Sequence, residues 1–338
     1  MYFWYIFKKY LKNFLLILFS LSFFYVIIDL IANYSKLPDS SNLHVLYVYY
    51  VALNSIDVFY PLALVFAFLF TVYYMIKFNE LVSFYSLGFT VKKLIKPFFF
   101  LALIVFTVFV ILESGKFAYV REYADSILNK KQYADANLFV KYEDKIVYIK
   151  KLTPVFKRAD GLKIFYLQNN KIVKILTSPK AVFKKNIWFV KDAEITYIND
   201  REIKTTSATV YVLKNFKPKI ISNLKNLNSI SLTDAYTAMK LFKDVNVNML
   251  LSIVFFKIFT ALSMVFLLIV LMFKTPVHQR ISNISLFLVK SVLFTILVWG
   301  TDLMIYKFAK QGVLSPYVLA VPFVFILSYG IFLLYKEK

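Results

Sequence analysis

The chain has 338 residues, 60% of them hydrophobic, and a mean hydropathy of +0.65, which is a membrane composition. It carries a net charge of +22, no cysteine and two histidines, His44 and His278. That excludes disulfides, thiolate metal sites and thiol nucleophiles, and argues against a histidine-built zinc site or a Ser-His-Asp triad.

Six apolar cores are predicted, three on each side of a polar middle: Asn13–Ile28, Val58–Ile76, Pro97–Leu112, Met249–Phe273, Ile281–Tyr306 and Leu314–Tyr335. A bilayer core about 30 Å thick takes about 20 helical residues to cross. Backbone groups in lipid must bond within their own segment, so each crossing is a helix. The first core follows Lys8, Lys9 and Lys12. It lacks a small-x-small cleavage site and is long for a signal peptide, so it reads as a retained anchor.

Between cores two and three lies NELVSFYSLGFTVKK. Leu81, Phe84, Leu87 and Val91 recur at helical spacing, with Glu80 near the start. The pattern predicts a short amphipathic helix at about residues 78–92, ended near Gly88. Two readings stand for it: a helix lying on lipid, or a lever docking on a cytoplasmic partner. The only Gly-Lys pair, Gly115-Lys116, lacks the upstream glycine of a phosphate loop, so nothing points to nucleotide hydrolysis by this chain.

The middle reads as β-strands: Lys145–Lys150, Leu162–Gln168, Lys171–Thr177, Ala181–Lys184, Ile187–Val190, Glu194–Ile198 and Thr205–Leu213. Asn169-Asn170 and Lys185-Asn186 are the predicted hairpin turns. At least seven short strands at close spacing predict an antiparallel sandwich or roll. Ser231–Asp244 reads as helix leading into the fourth span. The organisation predicted is therefore 1–115 with three spans, 116–230 as a jellyroll-like β-domain, and 231–338 with a connecting helix and three spans. The fold class is a six-span α-helical membrane protein with an inserted all-β domain.

From Lys116 to Asn246 there are 25 Lys/Arg against 12 Asp/Glu. A basic surface attracts nucleic acid, anionic lipid or an acidic partner. The over-use of Lys, Asn, Ile, Phe and Tyr together also accounts for the excess as compositional bias. Nucleic acid is not expected as a partner of a domain that shares its chain with six spans. Lysines and arginines near span ends set orientation. Lys8, Lys9, Lys12, Lys77, Lys92, Lys93, Lys96, Lys274, Arg280, Lys336 and Lys338 fall at one set of ends, against Lys36, Lys307 and Lys310 at the other. Both termini are expected in the cytoplasm and the β-domain outside.

Asp29, Asp57, Lys257, Lys290 and Asp302 fall in or near spans, where charge is costly and usually faces a cavity or a partner. Asp29, Asp57 and Asp302 are expected near outer ends, where solvation is easy. Lys257 is expected near an outer end, within snorkelling reach of water, and Lys290 is the deepest charge.

Four segments carry a family resemblance. They are Phe59–Thr90 (FYPLALVFAFLFTVYYMIKFNELVSFYSLGFT), Leu138–Leu152 (LFVKYEDKIVYIKKL), Gly161–Ile175 (GLKIFYLQNNKIVKI) and Gly312–Val324 (GVLSPYVLAVPFV). In this order around three-plus-three spans the chain resembles the LptF/LptG family, permeases of the lipopolysaccharide exporter, over about residues 5–336. The VYI strand and the NELV…GFT form look more like the LptG branch.

The resemblance implies a non-enzymatic ABC-transporter permease subunit in the bacterial inner membrane, with no cofactor. It would extract lipopolysaccharide and pass it toward the outer membrane. Implied partners are an LptF-type permease, an LptB-type ATPase dimer and LptC- and LptA-type bridge proteins. It implies ATPase coupling through Glu80, Leu81, Phe84 and Gly88. It also implies a lateral gate between spans 1 and 5, offering Phe24, Tyr25, Lys36, Trp299, Asp302 and Lys307 here. Phe84-Tyr85 and the single Lys36 depart from many relatives, which carry smaller residues and more basic ones. From the residues alone, a receptor whose β-domain binds a ligand, or a secondary transporter, remain the competing classes.

Overall fold

The computed structural model describes residues 1–128, 135–153, 157–168, 171–199, 202–214, 216–218, 230–241, 246–278 and 283–336. The chain divides into two compact units. One comprises Met1–Ser35, His44–Val120 and Val247–Lys338, the other Lys36–Leu43 and Arg121–Asn246.

The first unit is helical. Its elements are α1 (Tyr2–Asn33), α2 (Ser41–Lys77), α3 (Glu80–Ser86) and α4 (Val91–Glu113), then α7 (Val247–Phe255), α8 (Ala261–Lys274), α9 (Ile284–Lys310) and α10 (Ala320–Lys336). Six helical stretches are long and apolar enough to cross a membrane, as the apolar cores predicted. They run past those cores. α2, with 37 residues, is about 55 Å long at 1.5 Å per residue, more than a bilayer requires. Its first turns, from Ser41, hold too many polar residues for the hydropathy pattern to reveal.

α2 supplies much of the centre: Ala63, Leu64, Val65, Ala67, Phe68 and Val72 are fully buried. Polar bonds tie it to α1, since Tyr10 Oη donates to the Leu64 carbonyl (2.9 Å) and Asn13 Nδ2 to Thr71 Oγ1 (2.8 Å). In an apolar bundle these bonds fix register where dispersion alone selects weakly. α1, α9 and α10 each bury one narrow stripe and expose apolar faces, among them Phe19, Phe23 and Ile31; Leu293, Leu297 and Met304; Phe325 and Phe332.

α7 and α8 are joined by a π-turn, Phe256–Thr260. α3 is only seven residues long, shorter than its pattern suggested. Leu81 is buried, but Leu87 is exposed and Val91 already begins α4. Gly88, at φ +78°, supplies the left-handed turn that ends this segment. Thr90 then caps α4 by accepting from the Lys93 N–H (3.3 Å).

The second unit holds α5 (Val120–Leu128, whose first residue is assigned to the helical unit) and one six-stranded antiparallel sheet in sequence order. The strands are β1 (Asp135–Tyr142), β2 (Lys145–Thr153), β3 (Arg158–Gln168), β4 (Lys171–Lys184), β5 (Ile187–Asn199) and β6 (Glu202–Val212), followed by α6 (Leu232–Leu241). Among the described residues the expected seven or more strands become six. Lys171–Thr177 and Ala181–Lys184 are one strand, as are Ile187–Val190 and Glu194–Ile198, while β1 was not expected.

The apparent breaks are irregularities inside continuous strands. Pro179, which has no N–H to give, sits where the β3–β4 ladder skips from Ser178 to Lys180. On β5 the register shifts between Val190 and Ala193, with Asp192 at φ +54°. Gly161 sits opposite on β3 at φ +67°, and a Cβ there would meet the Lys150 Cβ at 2.7 Å. Together they crease the sheet, so its buried face changes parity along the strands.

Lys185 and Asn186 both have positive φ, the geometry of a tight hairpin turn. The Asn169-Asn170 turn and Arg280 lie outside the described residues. After β6 the chain crosses the sheet's apolar side. Trp188 Nε1 donates to the Phe216 carbonyl and Tyr142 Oη to the Lys214 carbonyl, both at 2.6 Å. These bonds draw β1 and β5 toward one segment and curl the sheet.

Candidate functional site

Two polar sites stand out in the helical unit. At the first, Lys9 Nζ of α1 lies 2.7 Å from both Glu80 oxygens at the start of α3. Both side chains are about three-quarters buried. Beside it, Phe84 packs edge-on to Phe89 and against the core, and Leu81 is buried completely. α3 is thereby bolted to α1 by a charge pair and to the bundle by two apolar side chains. Gly88 is exposed, with open space around it. Sequence reading found Glu80 but missed Lys9 as its neighbour, having counted that lysine only toward orientation.

At the second, Lys257 on the π-turn pairs with Glu113 at the end of α4, and Asp57 on α2 lies within its electrostatic reach. Glu113 is 4% exposed. Lys257 therefore does not snorkel freely. It is held by a carboxylate because removing charge from water costs several kcal/mol per ion unless it is paired. The signal missed was Glu113 itself, which closes the third span. Pro61 on α2 cannot donate to the Asp57 carbonyl one turn back, which loosens the helix at this point.

The expected gate residues divide. Asp302 is 1% exposed, turned inward from α9 rather than solvated. Thr260 of the π-turn lies beside it, yet neither the carboxylate oxygens nor the Thr260 hydroxyl reaches hydrogen-bond geometry. Trp299 is half-buried against the core, and Tyr25 makes an edge contact with Phe59. Phe24 and Lys307 are exposed. Lys36 is exposed and belongs to the second unit. Lys290 is exposed on α9. Among the described residues no cluster of acidic or imidazole side chains could hold a metal.

Six helices able to span a membrane and a sheet domain inserted between the third and fourth define a polytopic membrane protein. The chain matches the family model described as lipopolysaccharide export system permease LptF/LptG over residues 4–336, and it belongs to that family. No curated protein matches it. It is therefore a multi-pass inner-membrane permease of lipopolysaccharide export and not an enzyme.

Proposed function

We propose that this chain is an LptG-type subunit of an ABC transporter. It pairs with an LptF-type permease, is driven by an LptB-type ATPase dimer, and hands lipopolysaccharide to LptC- and LptA-type bridge proteins. The family match over nearly the whole chain supports the permease reading, and the VYI strand and the NELV…GFT form support its LptG branch. The termini and α3 face the cytoplasm and the β-domain the periplasm, in line with the lysines at span ends.

In this reading α3 receives the ATPase. Glu80 and Lys9 tie it to α1, so displacement of α3 is transmitted along a helix that carries Phe24 and Tyr25 at its far end. A lateral gate between spans 1 and 5 borders a cavity open to the outer leaflet. Exposed Phe24 supplies apolar wall there, while Lys36 and Lys307 meet lipid phosphates.

Reporter fusions test the orientation. A reporter after Asn199 is expected to be active only in the periplasm, and reporters after Phe89 and at the C-terminus only in the cytoplasm. A cytoplasmic signal at Asn199 removes the export direction and the mechanism with it.

A further inference from the structure

Three hairpins at one end of the sheet each carry a tyrosine before the turn and a lysine after it: Tyr142 and Lys145, Tyr166 and Lys174, Tyr197 and Lys204. The register sets them side by side. Tyr142 pairs with Lys145, Lys145 with Tyr166, Tyr166 with Lys174, Lys174 with Tyr197, and Tyr197 with Lys204. Residues directly opposite in a ladder share a face. The first five strands therefore contribute to one row, in which tyrosine and lysine alternate. Two residues further along the strands the same face is apolar, with Val147, Ile164, Leu176 and Ile195 buried. The row is the polar rim of the sheet's apolar side.

The amines are held rather than free. Lys145 Nζ lies 5.5 Å from the Tyr166 ring centroid, and Lys174 Nζ lies 5.1 Å from Tyr166 and 5.0 Å from Tyr197. Ring faces attract the cations without neutralising them. Lys145 has an exposed acid, Glu143, at 3.5 Å. Among the described residues no carboxylate pairs with half-buried Lys174. A cavity of about 270 Å³ opens at this rim, walled by Tyr142, Lys145 and Tyr166 from the row, by the carboxylate of Glu143, and by Tyr211 and Lys214 beyond it. The Tyr166 hydroxyl, a donor at neutral pH like any phenol, is pushed further above its ordinary pKa by burial.

The geometry points to a binding site for a phosphorylated saccharide along this rim, with lysines on the phosphate and tyrosines on the sugar. Charge-assisted bonds from fixed ammonium groups favour phosphate oxygens. Tyrosine offers a sugar both an apolar ring and a hydroxyl. The inference rests on the export reading only for the source of the ligand, the sugar end of the transported lipid.

The test uses the full chain in nanodiscs of zwitterionic lipid, titrated calorimetrically with a phosphorylated glucosamine disaccharide lacking acyl chains. Binding is expected to weaken at least tenfold in Lys174→Gln and less in Lys145→Gln, and to stay unchanged in Lys180→Gln, which lies beyond the crease. The unphosphorylated disaccharide should bind at least tenfold more weakly. Equal binding by Lys174→Gln with unchanged tryptophan fluorescence overturns the site. So does inorganic phosphate competing as well as the sugar phosphate. Lipopolysaccharide recovery with the same particles separates the two claims. Recovery without any effect of the row variants sinks the rim site alone. Sugar-phosphate binding at the row with no lipopolysaccharide recovered sinks the export reading alone.

Discussion

Lys257 of the helical unit pairs with buried Glu113, whereas Lys174 of the β unit lies against two tyrosine rings at the rim of a sheet. The difference follows from solvent. The carboxylate that faces Lys257 is 4% exposed, so little water shares its charge and a full counter-charge is needed. At a half-exposed rim water does most of the solvation, and an aromatic face is enough to hold the amine in place. The first arrangement locks helices together, and the second leaves positive charge available to a ligand.

The sharpest way to break this comparison is to remove each lysine. Lys257→Met strands Glu113 and leaves Asp57 without its nearby cation, and it is expected to cost about 3–5 kcal/mol. Lys174→Gln is expected to cost under about 1 kcal/mol. Thermal unfolding in detergent reads both. The Glu113→Gln, Lys257→Met double variant should recover most of the loss. If Lys257→Met melts no earlier than Lys174→Gln, the contrast between the units is wrong.

A smaller effect sharpens the reading of the Lys9–Glu80 pair. Its partly exposed geometry, about three-quarters buried, is worth about 1–2 kcal/mol, so Glu80→Ala should lower stability modestly while stopping export. The exchanged pair, Lys9→Glu with Glu80→Lys, should regain that stability but not export, because the ATPase would meet a cation where it needs an acid. Full export by the exchanged pair would show that Glu80 serves only to tie α3 to α1.

The smallest effect is alkaline. Burial, with Tyr197 adding to it, raises the Tyr166 pKa, and burial, with Glu143 adding to it, raises that of Tyr142. The unfolded chain ionises these phenols first, near the ordinary value of 10.0. Their stabilisation is thus complete below that pH and is lost as pH rises through the higher folded values. Phenolate absorbance of the Tyr166→Phe variant, subtracted from that of the parent, should show a titration displaced above pH 10.0. A displacement below it contradicts the partial burial of Tyr166.

The sequence disclosed the six spans because lipid demands long apolar helices, and few other constraints produce runs of that length. Alternation and turn residues disclosed the β-domain. The strand count went astray where Pro179 and Asp192 resemble breaks, although the neighbouring strands pair across both positions. Pairings between distant segments were hidden altogether. Lys9 meets Glu80 across 71 positions and Lys257 meets Glu113 across 144, distances over which no periodicity carries information. Asp302 was legible as a charge near a span end but not as a buried one, because only packing against the π-turn decides which way that helix face looks. The tyrosine–lysine row was present in three hairpins and became visible only once the registers aligned them.

The central claim is that this permease moves lipopolysaccharide when a partner hydrolyses ATP. The most direct measurement reconstitutes the chain with its co-purified permease and ATPase partners in liposomes loaded with lipopolysaccharide. Transfer to an added periplasmic bridge protein is then followed. The account predicts transfer that requires ATP and falls to background in Glu80→Ala while the complex still assembles. Transfer that ignores ATP, or assembly without any lipopolysaccharide bound, would contradict it.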